Sequence, residues 1–367
     1  MKNIVCIVGT RPECIKMAPV IKSFANSDWA KVYVVSTGQH RELVAQTLSI
    51  FELNVDIDLD VMQHGQTLCG LSSRIFEGIE TVFETLNPDL VIVQGDTTSV
   101  MVAAIASFYL QIPIAHVEAG LRTGDIKSPF PEEFNRIVAG IVSSLHFAPT
   151  KRAFDNLLKE GKTRHSVYLT GNTVIDALLE VSARDLHCQY PTSDKNDLVL
   201  VTAHRRENFG EPIKNICRAI RELHDERKDL EFVYPVHPNP NVKSVAQSYL
   251  GSLERVYLIP PANYEELVTL IKKSRLVLTD SGGIQEEAPA LGKPVLVLRN
   301  ETERPEAIEA NVAVLVGSDR IKIKKWVYQL LDDNILYDSM ASGASPYGDG
   351  KAALRIETIC KNFLHLA

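Results

Sequence analysis

Residues 90–120 read LVIVQGDTTSVMVAAIASFYLQIPIAHVEAG. Positions 97–115 carry no charged residue, a run of 19 that approaches the length needed to span a bilayer. Gln111 and Pro113 interrupt that run, and it divides instead into a buried helix over 99–110 and a short strand over 112–117. With the β-branched run 90–94 ahead of it, the stretch is strand, helix, strand. Parallel strands need such a crossover, so the expected class is α/β with parallel sheets.

Outward from this unit the alternation continues in both directions. Strand-like runs fall at 4–8, 32–36, 146–148 and 167–169, and a second series falls at 198–202, 231–235, 256–258, 276–279, 295–298 and 313–316. Helical apolar spacing fills 14–25, 66–85, 131–143, 211–226 and 321–331. At 367 residues the chain has room for two domains of about 150 residues each. Composition puts their junction in the polar stretch 184–197, and a last amphipathic segment, 351–366, fits on either half.

Thirty-nine Lys and Arg against 46 Asp and Glu give a net charge of −7. A broad electrostatic footprint for nucleic acid or an anionic membrane is therefore excluded, and an anionic ligand must be held by a few placed cations. Six cysteines lie scattered with no C-x-x-C, which reads as reduced thiols in a cytoplasmic protein. The apolar run 4–8 passes straight into Gly9-Thr10-Arg11-Pro12-Glu13, so no signal peptide is expected.

Several loops carry residues that a bare turn does not need. Gly9–Glu13 follows the first strand, and Arg11 with Lys16 sets two cations beside a helix N-terminus, which suits an anionic ligand as well as a solvated helix start. Asp96 closes the strand 90–94, where Asp commonly caps the next helix. Glu118 closes the strand 112–117, where a purely structural position favours Ser, Asn or Gly. Glu132 and Glu133 begin a helix, as dipole-complementing residues often do. Together Asp96, Glu118 and Glu132 form a candidate acid/base cluster, because crowded carboxylates raise one another's pKa. In the second half, His204 and Arg205 follow the strand 198–202, and His237 follows 231–235. Ser281-Gly282-Gly283 offers backbone N–H groups at a helix N-terminus as a phosphate nest, Glu287 stands one turn in for ribose hydroxyls, and Arg304 can add a cation.

Other chemistries lack their residues. No G-x-G-x-x-G follows a strand, which argues against a nicotinamide cofactor. The P-loop-like run ending in Lys351 lacks its first Gly and its Ser/Thr, and Asp58-Leu59-Asp60 has no partner ligands for a metal. No cofactor and no metal are expected.

In order along the chain, Gly9–Glu13, Gln94–Thr97, Val117–Arg122, Pro131–Glu133, Gly171–Thr173, His204–Asn208, His237–Pro240, Asp280–Gly283, Thr302–Ala307 and Pro346–Gly350 resemble the UDP-N-acetylglucosamine 2-epimerase family over nearly the whole length. The resemblance implies two Rossmann-like domains in a glycosyltransferase-B-like fold, with the active site in the interdomain cleft. It places the N-terminal domain at 1–171, rejoined by a C-terminal helix 352–367, and the UDP-binding domain at 172–351. It implies reversible epimerisation at C2 through loss and re-addition of UDP by way of a 2-acetamidoglucal, serving the biosynthesis of a polysaccharide such as a capsule. Asp96, Glu118, Glu132 and His204 are then the catalytic candidates. Arg11, Lys16, Asp96, Glu118, His204, Ser281, Gly282, Gly283, Glu287 and Arg304 are the substrate contacts. Gln39, Arg74, Glu133, Arg205 and His237 match the site at which bacterial non-hydrolysing members bind a second UDP-N-acetylglucosamine as activator, and a homodimer is implied. The alternatives within the family are a hydrolysing enzyme that releases N-acetylmannosamine, and an epimerase of a 2,3-diacetamido uronic acid nucleotide.

Overall fold

Strand–helix alternation continues from end to end in the computed structural model, which describes all residues except 39–40, 64, 187–189, 191–194, 344 and 367. The described residues divide into two compact units, Met1–Ala177 with Gly348–Ala367, and Leu178–Tyr347. The resemblance placed the first boundary at 171/172; the unit boundary falls later, within the helix that begins at Thr173.

Unit 1 is built on β1 (Lys2–Val8), β2 (Ala30–Ser36), β3 (Ile57–Asp58), β4 (Leu90–Gln94), β5 (Ile114–Val117), β6 (Leu145–Ala148) and β7 (Val167–Leu169). Their order is β3-β2-β1-β4-β5-β6-β7, all parallel. The connecting helices are α1 (Arg11–Ala25), α2 (Arg41–Ile50), α3 (Leu68–Leu86), α4 (Thr98–Tyr109), α5 (Glu132–Val142), α6 (Lys151–Lys159) and α7 (Thr173–Ser182). Side chains alternate across β1, so Ile4, Cys6 and Val8 pack with Met17 and Phe24 of α1, while Val5 and Ile7 pack with Ile75 and Ile79 of α3 and Val102 of α4. Covering both faces explains why these strands read as unbroken apolar runs. The 97–115 stretch is α4 followed by β5, and no helix among the described residues is long and apolar enough to cross a membrane.

Unit 2 repeats the plan with β8 (Asp197–Thr202), β9 (Leu230–Pro235), β10 (Val256–Ile259), β11 (Leu276–Thr279), β12 (Val295–Val297) and β13 (Ala313–Leu315) in the order β10-β9-β8-β11-β12-β13. Its helices are α8 (Glu211–Glu226), α9 (Pro240–Leu250), α10 (Tyr264–Lys273), α11 (Gly282–Ala290), α12 (Pro305–Glu309), α13 (Arg320–Asp332) and α14 (Asn334–Ala341). The last helix, α15 (Ala352–Leu366), belongs to unit 1, where Ile356 and Cys360 are fully buried in the α1 side of the core.

Both sheets reverse their strand order at one point, between β1 and β4 in unit 1 and between β8 and β11 in unit 2. In open parallel sheets the loops diverging from the carboxyl ends of such a strand pair leave a crevice for ligand. The loops at those four ends begin at Gly9, Gly95, Ala203 and Asp280.

Candidate active site

The β1 loop of unit 1 is organised by Glu13. Thr10 caps α1, and the Glu13 carboxylate reaches back so that Oε2 accepts from the backbone N–H groups of Gly9 and Thr10, each at 2.7 Å. Its Oε1 accepts from the Thr97 hydroxyl at 2.5 Å, tying the β1 loop to the β4 loop. Burial pushes the Glu13 carboxyl above its usual range, against the pull of these donors. The Thr-x-x-Glu spacing is a capping box legible in the sequence, although its link to Thr97 is not. Arg11 opens α1, half-buried, and its side chain makes no hydrogen bond or ion pair among the described residues.

Glu118 follows β5 with φ +61°, a conformation few non-glycine residues adopt, and its carboxylate is buried. Lys16 of α1 donates to both oxygens, at 2.6 Å to Oε1 and 2.7 Å to Oε2. The Asn172 amide donates to Oε1 at 3.3 Å, and the Gln94 amide donates to Oε2. Lys16, expected to hold UDP, is thus occupied by Glu118 in this structure.

Asp96 stands one residue beyond Gly95. Arg136 donates to its Oδ2 at 2.6 Å, and Asn135 donates to its backbone carbonyl at 2.9 Å. Burial raises the Asp96 pKa above the carboxylate norm; Glu118 and Glu132 push the same way, while Arg136 and Lys16 oppose them. Glu132 opens α5, and its carboxylate accepts no hydrogen bond among the described residues. The three carboxylates of the candidate cluster therefore share one electrostatic neighbourhood. Next to it, Glu133 is buried and turned inward, accepting from the backbone N–H groups of Thr123 at 3.0 Å and Gly124 at 3.2 Å and lying 3.3 Å from Arg136. Arg136, Gln94 and Asn172 stand in or beside motifs of the sequence but were given no role there, because each gains its meaning from a partner far along the chain.

A buried imidazole underlies the cluster. His116 Nε2 lies 2.7 Å from the Gly95 carbonyl oxygen, and burial holds the ring neutral, with its pKa pushed down to about 4. On the neighbouring strand His146 is its register partner and is pushed down to about 3 by burial.

In unit 2 the β8 and β11 loops meet at Asp280, which is fully buried. Its Oδ2 accepts from the backbone N–H groups of His204 and Arg205, both at 2.8 Å, and from the Asn208 amide at 2.9 Å. The imidazoles of His204 and His237 stack with centroids 5.7 Å apart and planes inclined by 11°. Burial lowers the His204 pKa; Asp280 opposes that shift, while His237 and Arg205 reinforce it. Ser281 caps α11, whose first residues are Gly282 and Gly283. A Cβ on Gly282 would stand 3.0 Å from Glu303 Oε1, an atom that also lies 3.1 Å from the Arg205 guanidinium. Glu287 is buried one turn into α11, and Arg304 donates to the buried Glu286 carboxylate.

Of the residues matched to an activator site, Gln39 lies outside the described residues. Arg74 of α3 donates through Nε to the Val61 carbonyl at 2.9 Å and through Nη2 to Gln66. Glu133 belongs to the unit 1 site described above, and Arg205 and His237 flank His204 in unit 2.

Two doubly wound parallel sheets, each with its motif-bearing loops at the strand-order reversal, define a two-domain α/β protein built to hold ligands at strand ends. The family model described as UDP-N-acetylglucosamine 2-epimerase matches residues 22–361. The UDP-N-acetylglucosamine 2-epimerase of Campylobacter jejuni is 44% identical over 98% of this chain and 97% of its own. The crystal structure of UDP-GlcNAc 2-epimerase from Neisseria meningitidis bound to UDP-GlcNAc superposes with a TM-score of 0.89 at 46% identity, covering 99% of this chain and 100% of that one. The glycotransferase of kitacinnamycin, 11% identical, has a TM-score of 0.68 over 98% of both chains and shares the fold alone. The chain belongs to the UDP-N-acetylglucosamine 2-epimerase family, with the glycosyltransferase-B-like architecture expected from its motifs.

Proposed function

We propose that this protein is a non-hydrolysing UDP-N-acetylglucosamine 2-epimerase that interconverts UDP-N-acetylglucosamine and UDP-N-acetylmannosamine. The observation that carries the proposal is the gathering of Asp96, Glu118 and Glu132 around Lys16 and Arg136 in a chain of this family. The hydrogen on C2 is not adjacent to a carbonyl, so direct removal is too slow. A carboxylate takes that proton as the C1–O bond breaks and its electron pair leaves with UDP, which yields the 2-acetamidoglucal. Return of a proton to the opposite face of C2, with attack of the UDP oxygen on C1, completes the inversion.

Glu118, beside the Lys16 ammonium and two amide donors, is suited to act in its ionised form. Asp96, whose pKa is raised by burial and by its neighbouring carboxylates, is suited to hold the proton that returns. In the reverse reaction the two exchange roles, and Glu132 tunes Asp96. Unit 2 grips the nucleotide: Gly282 and Gly283 offer N–H groups and Ser281 its hydroxyl to the diphosphate, Glu287 takes ribose hydroxyls, and His204 with Arg304 balances the charge that UDP carries away, while Arg11 is the cation that unit 1 offers to an anionic group. The product supplies polysaccharide assembly.

Incubation with UDP-N-acetylglucosamine in heavy water tests this directly. The expected result is deuterium at C2 of recovered nucleotide sugar and an equilibrium with UDP-N-acetylmannosamine. Release of free N-acetylmannosamine with UDP assigns the hydrolysing reaction instead, and C2 without deuterium overturns the mechanism. A second UDP-N-acetylglucosamine as activator, through Gln39, Arg74, Glu133, Arg205 and His237, belongs to the same proposal. It predicts a sigmoidal dependence of rate on substrate, and a hyperbolic curve removes it. A homodimer is supported by the exposed apolar residues Phe108, Tyr109 and Leu110 at the end of α4 and Ile141 near the end of α5. A monomeric mass in solution removes it.

A further inference from the structure

The two oxygens of Asp280 have different surroundings. Thr202 and Thr279, the last residues of β8 and β11, are register partners, so the next residues of the two loops rise side by side. Asp280 Oδ2 takes the three loop hydrogen bonds already described, from His204, Arg205 and Asn208. Oδ1 is buried, has no hydrogen-bond partner among the described residues, and lies 3.7 Å from His204 Nδ1.

Tying the loop needs one oxygen, and the carbonyl of an asparagine serves those three donors without burying a charge. A buried carboxylate oxygen left without a donor is destabilising. A separation of 3.7 Å is too long for a hydrogen bond, so the imidazole has to turn towards Asp280 before Nδ1 can donate to it. The near-parallel stack on His237 restrains tilt of the ring out of its plane. With its side chain 43% exposed, His204 keeps its other edge accessible.

We propose that Asp280 is a positioning residue for His204: its free oxygen accepts the Nδ1 proton, fixes the ring, and turns Nε2 outward as the atom that meets an anionic group of the ligand. The neutral ring then carries its proton on Nδ1, and the imidazolium donates from Nε2. Naming that anionic group as the departing diphosphate rests on the function proposed above; the pairing of Asp280 with His204 does not. Four influences act on the titration of His204. Asp280 favours the charged ring, and burial, His237 and Arg205 disfavour it.

The test is NMR of the full-length protein with isotope-labelled histidine, with His204 assigned by its loss in His204→Gln. In the wild-type protein the expected neutral tautomer is Nδ1–H, and a neutral ring protonated on Nε2 overturns the proposal with no variant needed. In Asp280→Asn the His204 pKa is expected to fall by about one unit or more. There kcat is expected to fall about 10- to 100-fold with KM for UDP-N-acetylglucosamine changed much less. Asp280→Asn in the His204→Gln background should cost no further activity, because the interaction it removes is already gone. An unchanged His204 pKa, or equal losses in both backgrounds, makes Asp280 a loop brace only. Absence of C2 exchange in the wild-type protein defeats the proposed reaction and leaves the tautomer and pKa readings standing.

Discussion

At Asp96 the opposing influences are close in kind: burial and two carboxylates favour its acid form, and two cations favour its anion. Asparagine preserves shape and the contact with Arg136 but holds no exchangeable carboxyl proton. Asp96→Asn is therefore expected to lower C2 deuterium exchange by about 10²- to 10⁴-fold while UDP binding stays within a few-fold by calorimetry. Exchange at the wild-type rate removes Asp96 from the acid/base set. His116 supports the same loop and gives a pH prediction. The native ring titrates at about 4 and the unfolded ring near 6.5, so the unfolded chain takes up a proton that the native state refuses. This contribution is complete above about pH 6.5 and is lost as pH falls towards 4, amounting at the acid end to roughly 3 kcal/mol. His116→Gln retains a donor near the Nε2 position and does not titrate, so its urea-unfolding stability should fall less steeply over that range. Parallel slopes for the two proteins refute the assignment. Glu118 stood out as a candidate in the sequence because an acid at an apolar strand's end lacks a packing reason, whereas Asp96, at a position where Asp commonly caps the next helix, became one only as part of the carboxylate set. The neutral state of His116 was not legible, because it depends on what surrounds the ring in three dimensions.

Elements were legible where the apolar period was long. The 211–226 helix and the 90–94 and 276–279 strands have the bounds their patterns predicted, whereas β3, two residues paired to Val35 and Ser36, is too short to show a period. The strand expected from 112 begins at 114, because Pro113 has no N–H to give the ladder and serves only through its carbonyl, which accepts from Val91 at 3.0 Å. How closely elements approach is a further property that patterns omit. Gly120, with φ +90°, passes so near α6 that a Cβ there would stand 2.2 Å from the Ala153 carbonyl oxygen. Gly120→Ala combines backbone strain with that clash and displaces the segment that follows Glu118. We expect a stability loss of about 2–4 kcal/mol in chemical denaturation, together with reduced C2 exchange. A loss under about 1 kcal/mol shows that the loop relaxes around the added methyl.

At the scale of the whole chain, the amphipathic stripe of 351–366 indicated a packed helix without indicating its partner, since an apolar face states how much it must cover and not what. The resemblance assigned it to the N-terminal domain, and α15 does fill the α1 side of unit 1 with Ala353, Ile356, Cys360 and Leu364. Glu357 accepts from the Trp29 indole N–H, and the Ala353 backbone N–H donates to Asp176 Oδ1 at 2.8 Å. Unit 1 therefore depends on the far end of the chain, while unit 2 is complete between Leu178 and Tyr347. That asymmetry makes the consequence of loosening α15 specific. Ile356→Ala removes a fully buried side chain from the unit 1 core, at a cost of about 2–5 kcal/mol. In limited proteolysis below the melting temperature, fragments from 1–177 should then appear faster than in the wild-type protein while 178–347 keeps its protection. The cavity weakens the native contacts of one unit only, so opening of that unit should precede global unfolding. Loss of protection in both units at one rate would mean that the chain unfolds as a single cooperative body and that α15 stabilises all of it.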